Sequence, residues 1–347
     1  MKESVRLTQF SPGAGCGCKI APKDLEEILK NSRSAKVFEK LLVGNESKDD
    51  AAVFDIGDGK AVISTTDFFT PIVDNPFDFG RIAATNAISD IYAMGGLPIM
   101  AISILGWPLD KIPAEVASDV ISGARSVCDA AGIPLAGGHS ISSADPIFGL
   151  AVTGITTTEK IKKNSSAREG ALLYLTKPLG IGLVTTAEKF GMVMEEDRIC
   201  ALNLMTTLNS AGALLSDIEG VVAMTDVTGF GLLGHTLEMA EGSGLKAVIE
   251  YDKVPRIEGA GYYIEKECIP GGTGRNYRSF SHKISPVTES QKALLCDPQT
   301  SGGLLIAVMP ESVPQAEALS KREKFPMYYV GKLVKRDSTG DIFVEVI

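Results

Sequence analysis

The residues best suited to chemistry lie near the start of the chain, in the run Gly13-Ala14-Gly15-Cys16-Gly17-Cys18-Lys19. A cysteine attacks as its thiolate, and a neighbouring ammonium lowers its pKa. The interleaved glycines give the backbone freedom to carry Cys16 and Lys19 toward a reaction centre. The same run would equally make a redox-sensitive thiol pair, or half of a metal site completed elsewhere, and a lone C-x-C does not choose among these. A second set is acidic: Asp49-Asp50, Asp67, Asp90 and Asp226. Magnesium takes hard oxygen ligands, typically a few carboxylates with substrate phosphates and water. Any one of these aspartates would pass for a solvated side chain or a helix cap. The third set is Gly137-Gly138-His139-Ser140, whose N–H groups can approach phosphate oxygens and whose imidazole could serve as a base. Paired glycines also make plain tight turns. With three histidines in the chain, a His-based zinc site has little support. Neither a Walker loop nor a Rossmann glycine turn is present, so any nucleotide is held by other means.

Positioning these groups takes a series of short elements. Residues 1–22 read as a Gly-rich mobile arm broken by Pro12 and Pro22, leading into a helix near Lys23–Asn31. Two β-rich runs, Ala52–Ile56 and Ala61–Thr66, meet through Gly57-Asp58-Gly59, and the second delivers Asp67 at its end. A helix over Asp78–Met94 carries Ala84, Ala87, Ile88 and Ile91 as an apolar stripe. Asn86 and Asp90 share its other side, which is either solvent-facing surface or a ligand-facing wall. A strand (Met100–Leu105), a helix (Ala114–Ala131), a strand (Pro134–Ala136), the GGHS loop and a strand (Phe148–Ile155) follow. The polar stretch Thr156–Glu169 marks the boundary, giving an arm over 1–22, a first domain over 23–158 and an α+β domain over 168–347. In the second domain, the strand Val221–Thr225 runs into Asp226-Val227-Thr228-Gly229 and a helix, Pro270–Asn276 reads as a Gly-rich loop, and Asp297–Gly303 turns into the strand Leu304–Met309.

A chain of 347 residues suits two packed domains, since single cores stop growing near roughly 250–300 residues. The formal net charge of −9 disfavours nucleic acid and anionic membranes as partners, although carboxylates that capture divalent cations still permit a polyanion such as ATP. The apolar stretch Leu97–Trp107 is broken by Pro98 and Gly106 and is too short to span a bilayer. The N-terminus lacks the apolar run of a secretory signal. Six cysteines scattered over this length do not form a disulfide framework, so a reducing, cytoplasmic setting is expected, with Cys128, Cys200, Cys268 and Cys296 as structural thiols.

The blocks GAGCGCK, KDDAAV, STTDFF, NAISDIYAMGG, LAGGHS, MTDVTGFGLLGH and CDPQTSGGLL together resemble the selenophosphate synthetases, in the same order along nearly the whole chain. The DVTGFGLLGH and DPQTSGG blocks also resemble the wider aminoimidazole ribonucleotide synthetase superfamily. The Cys-x-Cys-Lys arm singles out the selenium enzymes. The resemblance implies a two-domain fold with an N-terminal α/β domain whose strands join a partner's in a dimer β-barrel, followed by a C-terminal α+β domain. It implies that ATP, selenide and water give selenophosphate, AMP and orthophosphate. Cys16 would handle selenium, with Lys19 as the essential lysine. Asp50, Asp90 and Asp226 match magnesium ligands for more than one ion, and a potassium ion is also allowed. Lys19, Ser47, Lys48, Asp49, Asp67, Asp90, Gly138, His139 and Ser140 match positions that contact ATP, and Asn86 is an additional candidate. A homodimer is implied, and a selenium-delivery protein is allowed as a partner. Some members carry histidine where this chain has Pro12, so that position receives no acid–base role.

Overall fold

The computed structural model describes the chain apart from residues 1–4, 12–14, 21–23, 26, 29–35, 45–48 and 338–339. Among the described residues, two six-stranded sheets organise the molecule. The first half contains β1 (Leu41–Val43), β2 (Ala52–Gly57), β3 (Lys60–Phe69), α1 (Pro76–Ala93), β4 (Leu97–Trp107), α2 (Ala114–Ala130), β5 (Leu135–Ser142) and β6 (Ile147–Thr157). Its sheet runs in the order β1-β2-β3-β6-β4-β5, with β5 parallel to β4 and the other pairs antiparallel. The second half contains β7 (Leu172–Leu175), α3 (Ile181–Lys189), α4 (Glu195–Thr206), α5 (Ala211–Leu215), β8 (Val221–Asp226), α6 (Gly231–Gly242) and β9 (Leu245–Ile249). It continues with α7 (Ala260–Glu265), α8 (Gly271–Phe280), α9 (Glu289–Leu295), β10 (Leu304–Val308), α10 (Val313–Glu323), β11 (Tyr328–Lys335) and β12 (Val344–Val346). The order of its sheet is β12-β9-β11-β7-β10-β8. Among the described residues no helix is long and apolar enough to cross a membrane.

Helix α1 explains the architecture. Asn75 caps it by accepting the Asp78 N–H at 3.0 Å, and Pro76 opens the first turn, where its missing N–H costs nothing. Ile91 packs on the first sheet over Gly154, where Phe79 also meets Phe69 and Phe148 at ring separations of 6.0 and 6.2 Å. The other side carries Thr85, Asn86 and Ser89, which are also fully buried, because the second half covers them. The helix is therefore wedged between two layers. Its crossing with α2 is a backbone contact: a Cβ at Gly80 would lie 1.8 Å from the Val120 carbonyl, and one at Gly123 would lie 1.9 Å from that of Phe77. Glycine at both positions is what allows the helices to approach so closely.

Several elements differ from the sequence expectation. Asp67 lies within β3, which continues to Phe69. Gly137–Ser140 belong to β5, because the backbone of Ser103 takes them into the sheet. Pro270–Asn276 opens α8, where Pro270 occupies the cap position, an allowed site for a residue without an N–H. The helix expected at 23–31 lies largely outside the described residues. Cys128, Cys268 and Cys296 are buried and Cys200 is only partly so. Burial pushes the thiols of Cys128 and Cys296 up to about 11 and about 12, so neither is a nucleophile at neutral pH.

Candidate active site at the junction of the two halves

The acidic residues converge although their elements are far apart in sequence. Asp50 precedes β2, Asp67 lies in β3, Asp90 in α1, and Asp226 ends β8. Three of these carboxylates are each held by a hydroxyl. Thr225 Oγ1 donates to Asp50 at 2.9 Å, Thr65 Oγ1 to Asp90 at 2.5 Å, and Ser89 Oγ to Asp226 at 2.5 Å. Two of these bonds cross between the halves, so the cluster exists only when both are packed together.

Their electrostatics are unfavourable without a cation. Burial pushes Asp50 well above the usual carboxylate range, and the nearby charges of Asp226 and Asp90 push it further. Asp90 is raised well above that range for the same reason, with Asp226 and Asp67 as its like-charged neighbours. Burial also raises Asp226, against the Ser89 hydrogen bond and the attraction of His235 and Lys19. Asp50 Oδ2 is buried with no hydrogen-bond partner among the described residues. Carboxylates forced together, one with an orphaned oxygen, match the hard-oxygen donor set of a magnesium site. Among the described residues no three acidic, histidine or cysteine side chains already stand in coordinating geometry.

The arm reaches the edge of this cluster. Gly15 to Cys18 form a 3-10 turn. The Gly15 N–H donates to the Thr70 carbonyl at 3.2 Å, and Arg275 of α8 donates to the Gly17 carbonyl at 2.9 Å. Gly15 has φ +49, and a Cβ there would come within 2.5 Å of Thr300 Oγ1. Lys19 Nζ then lies 3.0 Å from Asp67 Oδ2, the same oxygen that takes Asn86 Nδ2 at 2.6 Å. The Cys16 side chain lies outside the described part, as do Pro12, Ser47 and Lys48. Asp49 accepts the Asn164 N–H at 2.7 Å and thereby ties the loop before β2 to the interdomain connection.

Gly138, His139 and Ser140 stand apart. Asp67 pairs with Leu150, Leu150 with Ser103, and Ser103 with Gly138. At about 4.8 Å per strand, that row puts Gly138 roughly 14 Å from Asp67. All three residues are exposed on β5, which among the described residues pairs only with β4. The structure thus joins Lys19, Asp67, Asn86 and the three other aspartates but not the GGHS segment. Sequence reasoning missed Thr65, Ser89, Thr225 and Asn209. Thr65 was legible in principle, since residues i and i+2 of a strand share a face with Asp67. Asn209, whose Nδ2 donates to both Ser89 Oγ and the Gly302 carbonyl at 2.8 Å, sits in a connection that carries no such pattern.

A two-domain fold with its acidic site at the junction defines the class. Residues 48–156 match the AIR synthase related protein, N-terminal domain, and residues 168–343 match the corresponding C-terminal domain. The fold is similar to that of thiamine-monophosphate kinase from Stenotrophomonas maltophilia, with TM-score 0.65, 17% identity, and coverage of 95% of this chain and 96% of that one. It is likewise similar to a hydrogenase maturation protein solved in complex with ATP, with TM-score 0.65, 16% identity, and 98% and 94% coverage. Within this class, the chain belongs to the selenide, water dikinase family. It is 59% identical over 345 residues to the selenide, water dikinase of Haemophilus influenzae strain 86-028NP, covering 99% of both chains. With that of Pseudomonas putida it shares 58% over 347 residues, covering 100% of both.

Proposed function

We propose that the chain produces selenophosphate from ATP and selenide, with the junction site as the phosphoryl-transfer centre and the Cys16/Lys19 arm as its selenium-handling lid. The reading rests above all on one observation: Lys19 of the arm meets Asp67 at the edge of a cluster of carboxylates that repel one another. In this reaction the γ-phosphoryl group leaves the β-phosphate oxygen and forms a P–Se bond. Water then attacks the β-phosphorus of the remaining ADP, giving AMP and orthophosphate.

Asp50, Asp90 and Asp226 would hold magnesium, in more than one ion, with potassium as a further cation. The metal supplies charge neutralisation of the triphosphate and of the transition state. Thr65, Ser89 and Thr225 orient the three carboxylates. Lys19 serves as an electrostatic clamp on the transferring phosphoryl group, and Asp67 and Asn86 fix where its ammonium rests. Selenide is a strong nucleophile at neutral pH, so the arm's task is to position it with Cys16 and to exclude water that would compete for the phosphoryl group. Lys19, Ser47, Lys48, Asp49, Asp67 and Asp90 contact the nucleotide from one chain.

Gly138, His139 and Ser140 are too far along the sheet to join them directly, and a second copy would bring its own β5 to the site. A homodimer is also supported by the uncovered face of the first sheet, where Phe54, Phe68, Met100, Ile102 and Ile155 stand exposed. The test is selenide-dependent AMP release, with selenophosphate identified by phosphorus NMR. Cys16→Ser should keep ATP binding and make no selenophosphate. Asp226→Ala should lower nucleotide turnover by at least ~1,000-fold. Unimpaired product formation by Cys16→Ser would remove the thiol from the reaction.

A further inference from the structure

The loop 297–303, the DPQTSGG block, is not used by the mechanism above, yet it touches the site through an unusual residue. Ser301 is fully buried with φ +53, a left-handed conformation that disfavours any side chain. Its hydroxyl has no hydrogen-bond partner among the described residues, so its side chain does not hold it there. Its peptide groups do. The Ser301 N–H donates to Asn86 Oδ1 at 2.8 Å, and its carbonyl accepts from Lys177 Nζ at 2.8 Å.

Lys177 is itself buried. It follows β7 and points at carbonyl oxygens from three places: Leu204 at 3.0 Å, Thr207 at 2.7 Å and Ser301. Burial pushes it down to about 7, against the attraction of Asp226, and its three acceptors match the three N–H groups of an ammonium. An amide side chain can sit either way round. With Oδ1 of Asn86 engaged by the Ser301 N–H, its Nδ2 must face Asp67, and the oxygen it meets there is the one that receives Lys19.

The geometry points to Lys177 and Ser301 as positioning residues for this reaction, holding Asn86 in the orientation that presents Asp67 to the arm lysine. The C-terminal domain, which already touches the arm at Gly15 and Gly17 through Thr300 and Arg275, thereby also sets where Lys19 docks on Asp67 of the N-terminal domain. This role builds on the phosphoryl-transfer reading above, and one of its tests does not depend on that reading.

The experiment uses the full-length protein as wild type, Lys177→Met, Asn86→Ala and the double variant. Lys177→Met should lower kcat for selenide-dependent AMP release roughly tenfold with little change in KM for ATP. In the Asn86→Ala background it should cost nothing further. Without substrates, the rate of tryptic cleavage after Lys19, followed by mass spectrometry, should rise by roughly fivefold in all three variants as the arm undocks. Losses in kcat that simply multiply, or cleavage at the wild-type rate in Lys177→Met, overturn the role. If Lys177→Met does not fold, Lys177→Gln replaces it, since its amide retains two of the three donors. That variant should lose roughly threefold in kcat and undock the arm, because the three carbonyls that now fix the 301 peptide can no longer all be held. Wild-type values for both kcat and cleavage refute the relay. If the wild-type protein releases no AMP with selenide, the reaction reading fails, and the cleavage rates still decide the relay.

Discussion

The two sheets have six strands each, but they are used differently. In the C-terminal sheet, every residue of β8 and β10 is buried, and Asp226 is the last residue of β8, placed on a rigid floor. In the N-terminal sheet, one face packs on α1 and α2, while the other presents Phe54, Phe68, Met100 and Ile102 uncovered. A sheet covered on both faces fixes a charge in place. A sheet covered on one face is ready to be completed by a partner, and here that same sheet carries the exposed GGHS edge.

The sharpest test of this difference is a charge placed in each sheet. Ile306→Glu, in β10 between Tyr174 and Met224, should prevent folding, since an unpaired buried carboxylate costs more than about 4 kcal/mol. Circular dichroism of the purified chain reads the outcome. Ile102→Glu, at a residue 43% exposed, should keep secondary structure and Tm while halving the mass seen by sedimentation. A wild-type chain that sediments as a monomer would break the comparison.

The next effect concerns the carboxylates at the junction. Their folded pKa values are raised, so between the ordinary carboxylate range and the raised values the folded state binds more protons than the unfolded one. Stability without metal should therefore fall as pH rises through that window. Magnesium, which binds the ionised forms, should raise Tm by about 5 °C at pH 8 and by much less at pH 5. Equal shifts at both pH values, measured by scanning calorimetry, would detach the cation from these residues. The smallest effect is at Thr65. Replacing it with valine removes one donor to Asp90 and should cost roughly tenfold in kcat, with the fold intact. An unchanged rate would mean that the hydroxyl does not orient Asp90.

The acidic residues were legible only as a set: each alone passes for a solvated side chain or a helix cap, and it was their recurrence in several different settings that pointed to a shared role. Asn86 and Asp90 were legible as neighbours on one side of α1, but whether that side was wet or dry depended on a layer more than 80 residues later. Gly137 and Gly138 read as a turn because paired glycines commonly make one, yet pairing with β4 at Ser103 seats them in a strand, with φ of +120 and +156. Lys177 was invisible. Its partners are carbonyl groups, which every residue carries, so no residue type advertises them.

The wedged position of α1 has an evolutionary and practical consequence. Its buried polar stripe is complementary to atoms of the second half, as in the pairs Ser89 with Asp226 and Asn86 with Ser301. Chimeras that graft one half from a distant homologue would inherit a stripe cut for a different counterpart. The halves must therefore change in step, and neither can serve as an independent module for recombination.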